Sequence, residues 1–360
     1  MASVDKRPNG KWRARWREYP GGPQKTKAFD RKIDADRHIV EMQHRLSTGT
    51  YVAPEDAAVT LGAFAPVHLN RQPWRPTTRA VVDKSFVHIL AAFKDRPLGT
   101  IRKGDIQAFV SGLQLAPSTV GLVFQHLNAM LEAATDDGLI VRNPAKGVRL
   151  PRSTRNEVVP PTTAQVGALY EAAPKWFRPA VILGAGLGLR QAEASGLTVD
   201  RIDWLGRTVR VDRQWLSRQE VPAFAPPKTR SSDRTIPAST FVLNALSTFT
   251  DGPSGRHVIE HDGGPLGHDL FGHYWRQTRE KAHVGAITFH DLRHAYASML
   301  ISAGCSVKAV SAALGHANAA TTLNMYSHLW PGDEDRIRKA VDQALGEPAE
   351  DSVRIGEAAG

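Results

Sequence analysis

Cysteine and long apolar runs are what this sequence most clearly lacks. Its 360 residues include a single cysteine, Cys305, which excludes an internal disulfide and is consistent with a reducing compartment. A membrane-spanning helix needs roughly 20 consecutive apolar residues, and no run approaches that length. The N-terminal residues also lack the apolar core of a signal peptide. These absences predict a cytoplasmic protein with no membrane partner.

The charge balance is what the sequence has in excess. Lysine and arginine number 46 against 36 aspartates and glutamates, giving a net charge of +10 with histidine neutral. The hydrophobic share of 41% and the charged share of 23% are ordinary for a globular protein, and the length allows two or three domains. Positive charge attracts polyanions, of which nucleic acid comes first and an anionic membrane surface second. The totals therefore predict a multidomain protein that binds nucleic acid.

The N-terminal segment, residues 1–56, predicts a small β-sheet covered by a helix. Residues 11–19 alternate with period two, which places the tryptophans on one face of a strand and the arginines on the other. A Pro-Gly-Gly-Pro turn separates this strand from a return strand over residues 24–29. Residues 32–46 predict a helix, with Val40 among the apolar side chains available to cover the sheet.

Basic residues dominate this first segment. Between residues 6 and 32 there are ten basic residues and two acidic ones. The alternative to DNA binding is a solvated charged face, but so large an imbalance favours a sheet that lies on DNA. The cations expected to contact DNA are Arg13, Arg15, Arg17, Lys25 and Lys27.

Residues 58–147 predict a compact bundle of four helices. Three stretches repeat apolar residues at helical spacing, and a shorter helix precedes them. Thr77 or Thr78 is the expected N-cap of the first of the three, and Ser118 that of the last. Nothing in this bundle indicates catalysis, and its exposed lysines and arginines either hold DNA or are merely solvated. The polar, proline-bearing residues 148–161 are typical of an interdomain linker.

The third segment, residues 162–345, begins with a capping box at Thr162. A buried helix is predicted over residues 177–189, and it leads to Arg190. The glycines that precede Arg190 are spaced GxGxG, which does not fit a dinucleotide-binding fingerprint, and no Gly-Lys-Ser/Thr follows for a P-loop. They are expected to end the helix and present Arg190, with Glu193 one turn further along.

Strands are predicted after this helical region. A strand is expected over residues 208–214, followed by a hairpin that returns at residues 234–237. Lys228 sits where the chain enters the polar turn. A lysine in such a turn, seen alone, is usually just solvated.

Residues 288–301 predict a helix with one apolar stripe, to which Met299 belongs. The opposite side carries His290, Arg293 and His294. The two histidines are spaced i, i+4, as in a zinc-binding HExxH motif, but position 291 is aspartate and no third ligand is evident. A nearby guanidinium also disfavours a dication. The sequence therefore predicts no metal site and no cofactor.

Two further residues complete a set with a chemical meaning. His316 and Tyr326 follow on the next segments, so a cation, imidazoles and a phenol gather near one place. No carboxylate cluster of the kind that two-metal nucleases require is evident. Phosphate chemistry at this site must therefore use fixed cations and hydrogen bonds. The set suits the attack of a tyrosine on a phosphodiester.

These motifs together resemble those of the tyrosine recombinases, and within them the phage-type integrases. The five motifs follow the order of that family and read LGLRQAEASGL, PPKTRSSDRTIP, HDLRH, LGH and TTLNMYSHL. The resemblance implies a multidomain, mainly α fold with small β-sheets. Residues 1–56 would be a sheet-plus-helix domain for arm-type DNA, residues 58–147 a helical core-binding domain, and residues 162–345 a mixed α/β, mostly helical catalytic domain. Residues 346–360 are expected to be a disordered tail.

The resemblance also implies roles for the residues that handle phosphate. Arg190 and Arg293 would grip the non-bridging oxygens of the scissile phosphate, because guanidinium is planar and always charged. His316 would hydrogen-bond the same phosphate. Glu193 matches a position where the family keeps an acidic residue, and it would support Arg190 or His290.

The remaining roles concern the nucleophile and the leaving group. Tyr326 would attack in line and form a 3′-phosphotyrosine bond with a free 5′-hydroxyl. Lys228 would donate the proton to that leaving oxygen, and His290 would assist proton transfer at the tyrosine. A second 5′-hydroxyl could reverse the step without ATP or metal.

The function implied is a site-specific recombinase that integrates and excises a phage or other mobile element. Its partners would be core-type and arm-type attachment sites, a homotetramer on DNA, and host DNA-bending and excision accessory proteins. One alternative shares the chemistry: a chromosome-dimer resolvase, a conjugative-transposon integrase or a type IB topoisomerase. The other is a non-catalytic architectural DNA-binding protein.

Overall fold

The computed structural model describes residues 2–152, 158–218, 221–227, 229–253, 255–330 and 334–346. The chain divides into two compact units that part near residue 154. Lys228 and the tail beyond residue 346 lie outside the described residues. Among the helices in these ranges, none is long and apolar enough to cross a membrane.

The first unit opens with an antiparallel sheet of order β1-β2-β3 that carries one helix. Its strands are β1 (Ser3–Lys6), β2 (Trp12–Arg17) and β3 (Gln24–Phe29), and helix α1 spans Lys32–Ser47. Ala14 and Trp16 are buried against Ile39 and Met42 of α1. Val40, which the sequence analysis made available to cover the sheet, is 66% exposed because it points away from the strands.

A helical bundle completes the first unit, as the apolar repeats predict. It comprises α2 (Pro54–Ala57), α3 (Leu61–Asn70), α4 (Pro76–Phe93), α5 (Lys103–Gly112) and α6 (Pro117–Asp136). The predicted caps at Thr77 or Thr78 and at Ser118 are wrong. Prolines occupy the first positions of α4 and α6, so Arg75 and Ala116 are the N-cap residues, and neither makes a side-chain cap hydrogen bond.

The second unit begins with helices that hold the glycine-rich turn. They are α7 (Thr163–Ala172), α8 (Arg178–Leu187) and α9 (Gln191–Gly196), and the predicted capping box of Thr162 with Gln165 is present. Gly188 ends α8 with φ +64°, as expected for a helix-ending glycine. Gly184 lies inside α8, where a Cβ would approach the Leu292 side chain within 2.8 Å, so it allows close helix packing instead.

Short strands follow, and they differ from the prediction. They are β4 (Ile202–Asp203), β5 (Thr208–Val211), β6 (Gln214–Leu216), β7 (Ala223–Ala225) and β8 (Arg234–Pro237). The single strand predicted over residues 208–214 is two strands, because β5 pairs with β8 whereas β6 turns away to pair with β7. A three-stranded sheet of order β4-β5-β8 and a separate hairpin result.

The remaining elements enclose the core of the second unit. They are α10 (Thr240–Ser247), β9 (Glu260–His261), β10 (Gly264–Pro265), α11 (His268–Lys281), α12 (Phe289–Ser302), α13 (Val307–Leu314), α14 (Ala319–Tyr326) and α15 (Glu334–Leu345). Helix α12 packs on α8 and is buried over most of its circumference. Met299, assigned to its apolar stripe, is 47% exposed because it lies in the last turn.

Candidate active site

Arg293 is the most deeply placed cation of the site. Its side chain is 1% exposed on α12, although it carries a charge. Its Nη1 donates to the Gly188 carbonyl oxygen at 2.6 Å, and its Nη2 donates to the Leu314 carbonyl oxygen. Burial lowers the pKa of Arg293 to about 9, helped by the like charge of Arg190. The guanidinium still carries its charge at neutral pH and joins the ends of α8 and α13.

Glu193 organises two further guanidinium groups. It is 4% exposed, and its carboxylate accepts from Arg190 Nη1 at 2.8 Å and from Arg234 Nη2 at 3.0 Å. Burial alone would raise the pKa of Glu193, but Arg234 and then Arg190 outweigh it and hold the pKa below its usual value. The guanidinium groups of Arg190, Arg234 and Arg293 thus lie around one ionised carboxylate. The net positive charge favours an anionic ligand.

Exposure distinguishes the members of this cluster. The Arg190 side chain is 36% exposed, whereas Arg234 and Arg293 are 8% and 1% exposed. Arg190 is therefore the guanidinium that an incoming phosphate meets first.

His316 stands beside the same cations, in the turn after α13. Gly315 ends that helix with φ +64° and lets the chain turn sharply into His316. The His316 Nδ1 lies 2.8 Å from the Thr322 hydroxyl, so Nε2 is the nitrogen that can meet a ligand. Burial and then Arg293 and Arg190 lower the pKa of His316 to about 4. The imidazole is therefore neutral at pH 7.

Tyr326 ends α14 with its side chain enclosed. It is 0% exposed, and its hydroxyl lies 2.6 Å from His294 Nδ1. Burial raises the pKa of Tyr326 to about 12, an effect that Arg293 partly offsets. Burial and then His290 lower the pKa of His294 to about 4. At neutral pH a protonated phenol therefore faces a neutral imidazole.

The position of His290 differs from its expected one. The family resemblance implies that His290 assists proton transfer at the tyrosine, but His294 is the imidazole that contacts the Tyr326 hydroxyl. His290 lies exposed in the first turn of α12, and its ring centroid is 5.0 Å from that of His294. The reason is the helical rotation: one turn separates the two histidines, and the later one faces α14.

Two residues of the site were not predicted to have a role in it. His294 was noticed, but it was weighed mainly as a zinc ligand. Arg234 was not singled out and lies only within the strand predicted over residues 234–237. The alternation of β8 offered a signal, because Arg234 and Ile236 share one face and Ile236 is a core residue.

The predicted DNA-contacting cations of the N-terminal sheet do not share one face. Lys25 and Lys27 stand opposite Trp16 and Ala14 in the strand register, so they lie on the face of the tryptophans. The arginines alternate to the other face. The sheet therefore does not present all five cations on one DNA-facing surface.

Acidic residues already hold most of these cations. Asp5 of β1 pairs with Arg13 at 2.7 Å and with Arg15 at 3.0 Å. Lys25 pairs with Glu18 at 2.7 Å and with Glu55 at 2.5 Å. Arg17 Nη1 donates to the Gly22 carbonyl oxygen, and the Lys27 ammonium lies 5.6 Å from the Phe29 ring centroid.

Metal ligands do not cluster in the described part of the chain. Across those ranges, no group of three or more His, Cys, Asp or Glu side chains is arranged to hold a metal ion. His290 and His294 face each other edge to face at 88° between their ring planes.

Sequence comparison places the chain among known proteins. Residues 162–331 match the phage integrase family. A prophage phiRv2 integrase of Mycobacterium tuberculosis is 24% identical over 352 residues, which cover 91% of this chain and 92% of the relative. Tyrosine recombinase XerC of Proteus mirabilis is 28% identical over 317 residues, which cover 87% of this chain and 92% of the relative.

Structure comparison agrees on the fold. The Tn1549 transposon integrase in complex with transposon right end DNA superposes with a TM-score of 0.67 at 22% identity, over 80% of this chain and 100% of that one. The candidate catalytic positions all lie within residues 162–331, the range that matches the phage integrase family. The match over residues 162–331, the integrase and recombinase relatives and the integrase fold together support a tyrosine recombinase family for this chain.

Proposed function

We propose that this protein is a site-specific DNA integrase that cuts and rejoins DNA through a 3′-phosphotyrosine bond, and so inserts and excises a mobile element. One observation carries the proposal above all. The buried phenol of Tyr326, its imidazole partner His294 and the cations Arg190 and Arg293 meet in one site that has an excess of positive charge. A site of this kind suits a phosphodiester.

The cations stabilise the reacting phosphate. Arg190 and Arg293 offer their N–H groups to the non-bridging oxygens, and His316 adds a hydrogen bond from its free nitrogen. As the phosphorus becomes five-coordinate, charge grows on these oxygens, and fixed donors stabilise it without reorganisation. Glu193 keeps Arg190 in place through the 2.8 Å hydrogen bond.

The covalent step conserves atoms and bond energy. A bond forms between Tyr326 Oη and phosphorus, and the bond from phosphorus to the 5′-oxygen breaks. The phenol proton passes to an imidazole, and Lys228 gives a proton to the leaving 5′-oxygen. A 5′-hydroxyl of another strand reverses the step, so the cycle proceeds without ATP and without a metal ion.

Tyr326 must leave its enclosure before it attacks. Its side chain is 0% exposed, and its hydroxyl is engaged by His294. A buried phenol with a pKa raised to about 12 is a poor nucleophile. DNA binding therefore shifts α14 so that the hydroxyl reaches the phosphate while an imidazole still receives its proton.

The first unit and α15 provide the surroundings of the reaction. We assign residues 1–56 to arm-type DNA and residues 58–147 to core-type DNA, with residues 148–161 as linker, residues 162–345 as the catalytic domain and a tail after them. Helix α15 presents an exposed apolar stripe at i, i+4, i+8 that fits a neighbouring protomer of a DNA-bound tetramer. The stripe consists of Ile337, Val341 and Leu345. Host DNA-bending and excision proteins would assist in the cytoplasm.

A nicked DNA substrate tests the activity. The protein is incubated with attachment-site DNA that carries a nick near the cleavage point, so that the cut end diffuses away and the adduct accumulates. Wild-type protein should form covalent adduct with or without a chelator, and Tyr326→Phe should bind the same DNA and form none. Adduct from Tyr326→Phe would overturn the nucleophile assignment. DNA binding without adduct on any attachment site would favour the architectural protein.

A further inference from the structure

Arg234 hydrogen-bonds two other segments of the site, and the turn just before it in the chain, from inside the fold. It extends from β8 and is 8% exposed. Its Nε donates to the Ala313 carbonyl oxygen at 2.9 Å, and its Nη1 donates to the Ser232 carbonyl oxygen at 3.0 Å. Its Nη2 donates to Glu193 Oε2 at 3.0 Å.

Two of these partners, Glu193 and Ala313, lie close to candidate catalytic residues. Glu193 holds the Arg190 guanidinium at 2.8 Å. Ala313 is in the last turn of α13, just before the turn into His316. Ser232 closes the short turn that follows position 228 in the chain. One guanidinium group thus joins the carboxylate that holds Arg190 to the helix end that precedes His316.

The turn into His316 closes directly on Arg234. A Cβ at Gly315 would lie 3.0 Å from Arg234 Cδ and 3.0 Å from the Ser231 carbonyl oxygen. This glycine also has φ +64°, which side-chain-bearing residues rarely adopt. A side chain at position 315 would therefore press on Arg234 and on the Ser231 carbonyl oxygen.

Arg234 and Arg293 work as a pair at the end of α13. Arg293 Nη2 donates to the Leu314 carbonyl oxygen, and Arg234 Nε donates to the Ala313 carbonyl oxygen. The last carbonyls of a helix lack intrahelical partners and carry partial negative charge, so cations there are favoured. Arg293 also donates to the Gly188 carbonyl oxygen, and Arg234 also donates to the Glu193 carboxylate.

We propose that Arg234 is a positioning residue for DNA cleavage: it fixes the Glu193 carboxylate under Arg190 and the turn that carries His316. This inference rests on the proposed function and concerns the same site. The Nε, Nη1 and Nη2 groups of Arg234 all donate to protein oxygens, so Arg234 acts through Glu193 and the end of α13. A guanidinium suits the task because it has several donors in one rigid plane, whereas the ammonium of lysine is a single point.

The test compares variants of the full-length protein on nicked attachment-site DNA. Arg234→Met keeps the bulk and removes the donors, and we expect the single-turnover rate of adduct formation to fall roughly ten- to a hundredfold, as misplaced groups commonly cause. The dissociation constant for DNA should stay within about twofold, because Arg234 is buried. Arg234→Lys should recover part of the rate.

A pH profile separates positioning from general destabilisation. Glu193 is faced by Arg190 and Arg234, with Arg293 and His290 close enough to act electrostatically. Without Arg234, the effect of burial on Glu193 outweighs that of the remaining cations, and the pKa of the Glu193 carboxylate rises. The Arg234→Met rate should therefore increase from pH 6 to pH 9 more steeply than that of wild type.

Arg201→Met is the matched control. Arg201 lies in the same unit and pairs with Asp200 at 2.5 Å and with Asp212 at 3.0 Å, away from Glu193. It should lose stability without the altered pH profile. An Arg234→Met rate equal to that of wild type, or an unchanged profile, would overturn the proposal.

Hydrogen–deuterium exchange distinguishes a failure of the Arg234 proposal from a failure of the proposed integrase function. In Arg234→Met, backbone exchange should accelerate in residues 186–194 and 311–318, and α6 should be unaffected. If wild-type protein forms no adduct, the proposed function fails, and the exchange pattern still decides whether Arg234 joins these segments. Equal exchange rates of Arg234→Met and wild type in residues 186–194 and 311–318 would reject the inference even if wild type is active.

Discussion

The Tyr326 hydroxyl and the His294 imidazole are 2.6 Å apart in a nearly water-free place. Their hydrogen bond satisfies both buried polar groups, since an unpaired buried polar atom lowers stability. His294 is 7% exposed, and burial lowers its pKa to about 4. The imidazole is therefore neutral when the protein is folded at pH 7, which is the state that can accept a phenol proton.

The lowered histidine pKa predicts acid sensitivity. An unfolded histidine has a pKa near 6.5, so between that value and about 4 the unfolded state binds more protons than the folded state. The free energy of unfolding should therefore fall as the pH drops from 6.5 to 4. His294→Phe should remove on the order of 1 to 3 kcal/mol of this pH dependence.

Urea unfolding of both proteins at pH 7 and pH 5 measures this effect. His316 shares the lowered pKa and stays in place, so some acid sensitivity should remain in the variant. Equal loss of stability in His294→Phe and in wild type would contradict the account of His294.

At the scale of elements, close helix packing sets the site geometry. Gly188 ends α8 with φ +64°, and a Cβ there would lie 2.5 Å from the Tyr296 ring. Its carbonyl oxygen also accepts from Arg293. The end of α8 can therefore present Arg190 because no side chain separates it from α12.

Gly188→Ala should destabilise the protein by about 2 to 4 kcal/mol, because positive φ and a steric clash act together. Gly272→Ala is the matched control, since Gly272 lies within α11 and a Cβ there meets nothing within 4 Å. It should be neutral or stabilise by up to about 1 kcal/mol. Thermal unfolding measures both, and similar stabilities for the two variants would refute this role of Gly188.

The N-terminal sheet makes a separate prediction. Asp5 holds Arg13 and Arg15, and the Arg13 hydrogen bond keeps the pKa of Asp5 below its usual value. Asp5→Asn frees both guanidinium groups for phosphate. DNA affinity should rise several-fold, with a steeper dependence on salt concentration.

A binding series from about 50 to 200 mM salt shows the change in slope. Asp30→Asn is the control, because Asp30 pairs with Lys11 on a well-exposed part of the sheet. Weaker binding by Asp5→Asn would indicate that Asp5 orients the arginines for DNA.

At the scale of the molecule, local patterns in the sequence specified most elements. The apolar repeat of α4 is buried at Val82, Phe86 and Ile89, as its helical spacing predicts. Strands of three residues, such as β6 and β7, are too short to leave a periodic signal. The prolines that open α4 and α6 outweighed the neighbouring hydroxyl residues as helix starts.

Candidate site residues were recognisable from motifs, but their contacts were not. Which of His290 and His294 meets Tyr326 depends on how α14 packs against α12, and no local pattern encodes that packing. Arg234 is likewise buried because its side chain extends to Glu193 of α9 and to the end of α13. Long-range packing is the information that the sequence alone did not reveal.

The chemical identity of the protein–DNA bond decides whether Tyr326 is the nucleophile. Adduct formed on nicked DNA is digested with trypsin and nuclease, and the modified peptide is identified by mass spectrometry. We predict that the DNA is attached to Tyr326 through a 3′-phosphate, with a free 5′-hydroxyl on the released strand. Attachment at another residue, or through a 5′-phosphate, would contradict the account.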